Sequence, residues 1–562
     1  MQTIALALLL LSWLNPLHIG PWISWHNEML AFGAVCVLAT AMLLQCRRLK
    51  ITVRIPISAM IWPSLVAVVL LQYITGKIDY FGDALVTVFY LGLIFSAVIL
   101  GFFQQKDHSI QRGGNAFLIS LSAALLFVSA LSTVVAFAQT LDVWQQNEWI
   151  ARTYSLRRPG GNITQPNQLA TLLLLGIVSL NYLYRRASIQ GIAALILLGM
   201  LLAGLGLSES RSGVLGAISL LAFAVFLRYR NVSVLSVWQS AVGVLFLLLC
   251  FKFLPQLCFQ IQNGGAITGP QISSDVSAGS RLVVWPQLIE ASLQHPWLGW
   301  GLRQVPMAHN AVLHNYGVGE AFTYAHNVML DLVLGVGYPL AIVVVILFMV
   351  WAVRRFQKIN DLDSWYGMSL LIPLVVHSLF EFPFAYAYFL VPVALGVGFM
   401  EARLFPSHSL EIKWKFVLIG HSFFVLLLAW SVWEYIAVEE DFRVARFEQQ
   451  RIGKTPSTYD RPHIVLLTQL DAMLTGIRLV PTPAMSTESI ESARKVAMRF
   501  PWPATQNRYA LCLALNGNSE EAIRQLKVIR AMHGDKTYQG IKVRWQELAH
   551  DKYPLLADIK LP

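Results

Sequence analysis

The sequence predicts an all-α protein, a polytopic transmembrane helical bundle of about 13 spans, with a long outer loop and a small C-terminal helical domain. Hydrophobic residues make up 56% of the chain and charged residues only 13%, which is more apolar surface than a water-soluble fold can bury. Apolar segments of about 20 residues, enough to cross a bilayer core of roughly 30 Å, recur along residues 1–435. The bilayer is therefore a predicted partner of most of the chain.

The predicted spans follow one another at short intervals, apart from one long gap after the ninth. They are 3–19, 28–46, 57–75, 83–103, 116–139, 166–184, 189–207, 212–228, 234–254, 326–352, 365–381, 385–403 and 414–435. The first segment lacks a charged start and a small-residue cleavage site, so it is predicted to be an uncleaved helix rather than a signal peptide.

Basic residues are distributed unevenly between alternate loops. If the N-terminus is cytoplasmic, the even-numbered loops carry sixteen Lys and Arg residues and the odd-numbered loops carry seven. This asymmetry fits the positive-inside rule. It predicts a multi-pass membrane protein with the residues after 435 on the outer side, which in a Gram-negative cell would be the periplasm. The net charge of +11 is mostly explained by the cytoplasmic residues, so no nucleic-acid partner is predicted.

The basic residues of the outer loops are nearly all arginines. An arginine fork binds phosphate oxygens in pairs and keeps its charge in a low-dielectric setting. Each arginine could instead pair with an acid such as Glu209 or bind a lipid headgroup. As a set that opposes the positive-inside rule, they favour a bound anion at the outer face. They are Arg152, Arg157, Arg158, Arg211, Arg281 and Arg303.

The C-terminal region, 436–562, has a different composition, because 32 of its 127 residues are charged against 41 of the 435 before it. Within it, 503–526 predicts a helix, an Asn-Gly turn and a second helix, which resembles one tetratricopeptide-like hairpin. No clear second copy follows, so a small helical domain is predicted. The predicted domains are 1–254 (N-terminal spans), 255–325 (large periplasmic loop), 326–435 (C-terminal spans) and 436–562 (periplasmic domain). Two outer cysteines, Cys258 and Cys512, could pair.

Histidine is the best candidate for proton transfer in the long loop, where three His-Asn pairs begin at His309, His314 and His326. A histidine near neutral pKa can accept a proton from a hydroxyl nucleophile. His326 starts the tenth span, so a helix end is expected to position it. His309 and His314 are expected on a flexible stretch, as solvated or loop-capping residues. No metal-ligand spacing is apparent, and neither a metal nor a cofactor is predicted.

Five short motifs occur in one order along the chain. They are Gly160-Gly-Asn162-Ile-Thr-Gln165-Pro-Asn167, Ser208-Glu-Ser-Arg211-Ser-Gly213, Arg281 with Trp285 and Pro296-Trp-Leu-Gly-Trp-Gly301, His326-Asn327, and His377-Ser-Leu-Phe-Glu381-Phe-Pro383 with Tyr386 and Tyr388. Together they resemble the Wzy_C superfamily and, within it, the PglL type of bacterial protein O-oligosaccharyltransferase, which is related to the O-antigen ligases. The resemblance covers roughly residues 1–440. Where the family is expected to have Glu-Tyr-Pro, this chain has a phenylalanine, so no hydroxyl chemistry is assigned to position 382.

The resemblance implies transfer of a preassembled glycan from an undecaprenyl-pyrophosphate carrier to a serine or threonine of a periplasmic protein, commonly a type IV pilin. It implies that Arg211 and Arg281 hold the pyrophosphate and neutralise charge on the leaving group. His326 would act as general base on the acceptor hydroxyl, or orient it. The other residues assigned to substrate binding are Arg157, Arg158, Arg303, Asn162, Gln165, Asn167, Asn327, His377, Glu381, Tyr386 and Tyr388.

Several of these residues also have a purely structural interpretation. The Gln165-Pro-Asn167 sequence is an ordinary helix-start signal. His377 and Glu381 are spaced one helical turn apart, so they could share a face and satisfy each other within the bundle. Tyr386 and Tyr388 could belong to an aromatic belt at the membrane surface.

Three other functions remain open at the level of the sequence. An O-antigen ligase would transfer the glycan to a lipid A core sugar, and an O-antigen polymerase would transfer it to another carrier-linked glycan. The soluble C-terminal region favours a protein acceptor, because a folded partner needs a docking surface. A transporter would place charged residues near the bilayer midplane, whereas the centres of these spans are nearly free of charge.

Overall fold

The computed structural model describes residues 1–105, 113–143, 147–152, 158–228, 237–262 and 276–562. The first nine helices are α1 (Gln2–Leu14), α2 (Trp25–Leu49), α3 (Ile61–Ile74), α4 (Phe81–Gln105), α5 (Gly113–Thr140), α6 (Pro166–Arg185), α7 (Gly191–Leu207), α8 (Arg211–Arg228) and α9 (Val237–Gln262). They are followed by α10 (Val276–Gln294), α11 (Val305–Leu313), α12 (Val328–Lys358), α13 (Leu362–Ser378), α14 (Ala387–Leu404) and α15 (Trp414–Gln450). The C-terminal helices are α16 (Thr468–Arg478), α17 (Thr487–Arg499), α18 (Pro503–Leu515) and α19 (Ser519–Asp551).

The all-α prediction is confirmed, and each predicted span coincides with one helix. Ten helices of the described chain are long and apolar enough to cross a membrane. Two others, α1 and α7, are shorter apolar helices, and α13 has 17 residues. The exact number of spans stays a prediction.

The chain divides into two compact units, each assembled from three stretches of sequence. The first contains Met1–Leu65, Phe89–Gln271 and Leu347–Leu426. Its core includes a cluster of buried leucines from α5, α6 and α7. A Cβ atom at Gly176 of α6 would lie 2.4 Å from the Ser129 side chain of α5, so glycine allows these two helices to pack closely, as small residues do between membrane helices.

Predicted cytoplasmic loops of the first unit contact one another. Strand β1 (Val53–Pro56) pairs antiparallel with β2 (Ser409–Ile412), which joins the α2–α3 loop to the α14–α15 loop. Ion pairs make further connections among these loops and the adjoining helix ends, namely Arg54–Glu411, Arg186–Asp363, Arg355–Glu401 and Arg403–Asp361. All of these contacts join loops that the charge pattern predicts on the same side, which supports the predicted alternation.

The second unit contains Val66–Val88, Ile272–Ile346 and Leu427–Pro562. The predicted long loop contains helices α10 and α11, which pack together around a core that includes Val284, Leu288 and Ala308. Leu313 at the end of α11 is buried against Val528 and other residues of α19. The segment predicted as a C-terminal hairpin contains α18, a turn in which Gly517 has φ 83°, and the start of α19.

Helix α12 is interrupted at Gly337, whose φ and ψ are 79° and 168°. A positive φ of this kind is readily adopted only by glycine. The interruption separates a short outer segment, which begins at Val328 directly after His326 and Asn327, from the longer remainder of the helix. The chain segment 296–302 packs against the interruption, where a Cβ atom at Gly337 would lie 2.5 Å from the Trp297 backbone.

All five cysteines lie within the described residues, and each is a free thiol. The proposed pairing of Cys258 with Cys512 is therefore not present.

Candidate functional site

The first unit holds the Gly-Asn and Gln-Pro-Asn residues in a tight turn before α6. Gly161 and Thr164 adopt positive φ values of 61° and 64°. Gln165 is the N-cap of α6, and its side-chain oxygen accepts a hydrogen bond from the Gln168 N–H at 2.7 Å. Pro166 occupies the first position of the helix, where its missing N–H costs nothing. The helix-start interpretation therefore accounts for Gln165.

Asn162 is buried, and its side chain is used to hold backbone. Its Nδ2 atom donates to the carbonyls of Leu14 and Trp149 at 2.6 and 2.9 Å, while its Oδ1 atom accepts from the Ala151 N–H at 3.1 Å. Its own carbonyl lies 2.7 Å from the His18 ring nitrogen Nε2. These contacts favour the structural alternative at Asn162, because both amide groups already have partners inside the fold.

A series of side-chain hydrogen bonds connects three odd-numbered loops of the first unit. The Arg158 Nη2 atom donates to Asn167 Oδ1 at 3.2 Å, and Asn167 Nδ2 donates to Glu381 Oε1 at 3.2 Å. The Arg158 Nε atom donates to the carbonyl of Ser208 at 3.1 Å. Three residues later Arg211 begins α8, and it is exposed. The structure thus links Arg158, Asn167 and Glu381, which are distant in sequence, and directs Arg158 to the segment that carries Arg211.

His377 and Glu381 are joined through the backbone at the end of α13, where the Glu381 N–H donates to the His377 carbonyl at 2.9 Å. That their side chains satisfy each other stays a prediction. Helix α13 ends at Ser378, and Glu381 lies in the turn beyond it. The His377 Nδ1 atom lies 2.7 Å from the hydroxyl of Thr171 on α6, whereas Glu381 binds Asn167 as described above. Proline at position 383 and the short helix that follows redirect the chain after α13, because proline cannot continue a hydrogen-bonded helix.

Aromatic residues surround the start of α14. Tyr386 stacks between Phe382 and Tyr388, with ring centroids 5.8 and 5.3 Å away. Tyr388 is buried, and its hydroxyl donates to Gln168 Oε1 at 2.9 Å. Tyr388 therefore has an internal hydrogen-bond partner rather than the exposed position of a belt residue.

Sequence reasoning missed Glu28, which is fully buried in the first unit. Its Oε2 atom accepts from the Ala387 N–H at 2.5 Å, so a carboxylate meets the positive end of α14 beside Tyr386 and Tyr388. The position of Glu28 in the sequence did indicate a role, because burying a carboxylate at the edge of an apolar span costs free energy unless the carboxylate has a partner.

In the second unit, His326 is fixed through its chain neighbours. The indole Nε1 atom of Trp285 donates to the Ala325 carbonyl at 2.9 Å, and the Ala325 N–H donates to Asp331 Oδ2 at 3.0 Å. Asn327 caps α12, because its Oδ1 atom accepts from the Met329 and Leu330 N–H groups at 2.9 and 3.1 Å. His326 itself has φ 54°, and its ring centroid lies 4.4 Å from that of Phe322.

Arg281 lies one helical turn before Trp285 on α10, so the two residues share a face of the helix. The Trp285 side chain contacts the residue before His326, which brings the Arg281 helix face to the histidine segment. Arg303 follows the 296–302 segment, is half-buried, and has φ 64°. The second unit therefore combines His326, Asn327, Arg281 and Arg303. Arg157 lies outside the described residues.

His309 is not on a flexible stretch, so that expectation is wrong. It lies in α11 and is fully buried. Its Nε2 atom is 2.8 Å from Gln287 Oε1 on α10. Burial lowers the pKa of His309 to about 4, because the charged imidazolium is disfavoured away from water. His309 is therefore a neutral core residue at ordinary pH. His314 caps the end of α11.

The histidine, cysteine and carboxylate side chains of the described residues form no group of three that could hold a metal ion. The polar side chains described above carry guanidinium, imidazole, amide and carboxylate groups. Together, fold and sequence define a polytopic membrane protein with several arginines in its odd-numbered loops.

Comparison with known proteins narrows this class. Residues 159–184 match a family described as protein glycosylation ligase, 192–345 match O-antigen ligase, and 365–547 match the C-terminal part of virulence factor membrane-bound polymerase. The chain is 25% identical over 552 residues to the general O-oligosaccharyltransferase of Acinetobacter baylyi, which covers 95% of this chain and 93% of the relative. It is 26% identical over 338 residues to the ComP-specific O-oligosaccharyltransferase of the same organism, with 60% of each chain covered. These matches support the resemblance of the chain to the Wzy_C superfamily and, within it, to the PglL-type O-oligosaccharyltransferases.

Proposed function

We propose that this protein is a glycosyltransferase of the bacterial inner membrane that transfers a preassembled glycan en bloc to a serine or threonine of a periplasmic protein. The proposed donor is an oligosaccharide linked to undecaprenyl pyrophosphate, and the proposed acceptor is a protein such as a type IV pilin. Similarity to protein glycosylation ligases and to a general O-oligosaccharyltransferase supports glycan transfer to protein. One relative is described as specific for ComP, so we look for a single, defined acceptor protein of this enzyme.

The placement of His326 is the observation that carries the proposed mechanism. The histidine lies between an indole hydrogen bond on one side and a capped helix start on the other, so its position is fixed at the predicted outer end of α12. A general base needs this kind of fixed position near the proton that it accepts. Asn327 is proposed to contribute by holding that position rather than by binding sugar.

In the proposed reaction, the acceptor hydroxyl attacks C1 of the first sugar and its proton passes to the His326 imidazole. The bond between C1 and the pyrophosphate oxygen breaks, and the pyrophosphate leaves on the lipid carrier. Arg211 and Arg281 are proposed to bind the pyrophosphate, because arginine stabilises negative charge that grows in the transition state. Arg157, Arg158 and Arg303 are proposed to bind the donor. His377, Glu381 and Tyr386 are proposed to shape the donor site together with Asn167.

The test is the mass of periplasmic proteins from cells that make a lipid-linked glycan and express the intact chain, His326→Ala or His550→Ala. His550 is an exposed histidine of the C-terminal region, so it controls for loss of an imidazole elsewhere. We expect a glycan-sized mass increase on a serine or threonine with the intact chain and the His550 variant. With His326→Ala the transfer rate should fall by at least about 100-fold, the usual contribution of a general base.

Other outcomes assign other functions. Glycan on lipid A core would indicate a ligase. Longer carrier-linked glycans would indicate a polymerase, the function in the description of the family that matches 365–547. No glycan change in any fraction would contradict the proposed function and favour transport.

A further inference from the structure

The interruption of α12 leaves backbone groups that need partners outside the helix. At Gly337 the helical hydrogen bonds stop, and unpaired carbonyl and N–H groups are costly in an apolar environment. Two of these groups bind the chain segment 296–302. The Trp300 N–H donates to the Leu334 carbonyl at 2.7 Å, and the Tyr338 N–H donates to the Pro296 carbonyl at 2.8 Å.

A third group is bound by a side chain from another helix. The Nε2 atom of Gln72, near the end of α3, donates to the Gly335 carbonyl at 2.8 Å. The other end of the same amide, Oε1, accepts from the Leu302 N–H at 3.0 Å. Gln72 is only 6% exposed, so both bonds form away from water, where a lost partner costs most.

The two backbone groups that Gln72 joins belong to different parts of the proposed site. Gly335 lies in the short outer segment of α12, which begins immediately after His326 and Asn327. Leu302 is the residue before Arg303, which has a positive φ of 64°. The direction of the Arg303 side chain therefore depends on how the backbone at Leu302 is held. A side-chain amide offers both the donor and the acceptor that these two backbone groups need. All of these residues belong to the second compact unit.

We propose that Gln72 is a positioning residue for glycan transfer, because its amide fixes the Arg303 backbone relative to the short helix that follows His326. This inference rests on the proposed function. Gln72 does not contact substrate; it acts through Arg303 and through the outer segment of α12. Loss of the amide should therefore lower the rate of the chemical step more than the binding of the acceptor peptide.

The test uses the full-length protein in membranes, with a lipid-linked glycan and an acceptor peptide as substrates. The variants are Gln72→Leu, Gln72→Glu and, as a matched control, Gln506→Leu. Gln506 is another buried glutamine of the same unit, and it is 2.7 Å from His533 in the C-terminal region. We expect Gln72→Leu to lower kcat by about 10- to 100-fold, the usual effect of a small misplacement of reacting groups. The KM of the peptide should change by less than about threefold. Gln72→Glu keeps the acceptor for Leu302 and should retain more activity than Gln72→Leu.

A double-mutant cycle with Arg303→Ala separates positioning from general loss of structure. If Gln72 acts through Arg303, Gln72→Leu should cost much less in the Arg303→Ala protein than in the intact one. Full additivity, or a fall in kcat no larger than that of Gln506→Leu, would overturn the inference. If Gln72→Leu fails to accumulate in the membrane, the same cycle is measured with Gln72→Glu, which keeps the size of the side chain. Absence of transfer by the intact protein would instead contradict the proposed function.

Discussion

At the scale of single residues, the motif amides and charges fall into two kinds. The side chains of Asn162, Gln165 and Asn327 form hydrogen bonds with backbone groups, and each stabilises a turn or a helix start. Arg158 and Asn167 instead join a series of side chains that ends at Glu381. A motif identified from sequence thus contains residues that build the turn and residues that can bind a ligand. The two kinds are distinguished by their contacts in the structure.

Asn162→Ala is expected to lower stability rather than affinity. The substitution leaves the Leu14 and Trp149 carbonyls and the Ala151 N–H without their partner in a buried setting, which should cost about 3 kcal/mol. Thermal unfolding of the purified protein in detergent measures the effect, with exposed Asn360 replaced by alanine as the control. An unchanged unfolding midpoint combined with weaker donor binding would show instead that Asn162 is a ligand of the glycan.

At the scale of helices, apolar runs predicted where nearly every membrane helix lies, because length and hydropathy are local properties. They did not predict α10 and α11 within the long loop or the interruption of α12. The interruption is stable only because residues 296–302 and Gln72 supply hydrogen bonds to it, and such partners are far away in sequence. In the same way, the bond from Asn167 of α6 to Glu381 joins residues 214 positions apart, which local sequence patterns cannot reveal.

The α10–α11 pair should lose stability in acid through His309. Its pKa is about 4 in the folded protein against an ordinary value of 6.5, so between these values the unfolded chain binds a proton that the folded chain excludes. The contribution to stability is complete above pH 6.5 and declines as the pH falls toward 4. Between pH 7 and pH 5 this should amount to roughly 2 kcal/mol.

Thermal unfolding at pH 7 and pH 5 measures the contribution of His309. His309→Gln removes the titrating group but keeps a side chain that can bind Gln287, so the variant should show a smaller loss between the two pH values than the intact protein. Equal losses in both proteins would mean that His309 does not exclude its proton. His550→Gln, at an exposed position, should behave like the intact protein.

At the scale of the whole molecule, the second unit shows why the predicted loop and C-terminal domain depend on each other. The Arg499 guanidinium of α17 binds the Asp83 carboxylate of α4 with two hydrogen bonds of 2.7 Å, between residues 416 positions apart. The Arg524 Nη2 atom donates to the Ala311 carbonyl of α11 at 2.9 Å, and the Gly319 N–H donates to the Ala531 carbonyl of α19 at 2.8 Å. Composition predicted a separate C-terminal domain, since it cannot reveal contacts between such distant residues.

Removal of one partner of the Arg499–Asp83 pair should destabilise the second unit strongly, since the two side chains are only 12% and 2% exposed. Removing one partner leaves a buried charge without compensation, so Arg499→Gln or Asp83→Asn should each cost about 3–5 kcal/mol. The double variant should cost clearly less than the sum of the two, because it buries no lone charge. The exposed pair Arg544–Glu547, at 60% and 50% exposure, provides the control, and Arg544→Gln there should cost less than about 1 kcal/mol.

Thermal unfolding in detergent, combined with the glycan-transfer assay, measures both consequences of breaking the pair. Arg499 lies at the end of the helix that carries Lys495, which pairs with Asp79, so its loss should release α17 from the turn before α4. If the C-terminal region supports the unit that holds His326, transfer should fall with the single variants and recover partly in the double variant. Single variants no less stable than Arg544→Gln would show that the C-terminal region folds independently of α4, as its composition alone suggested.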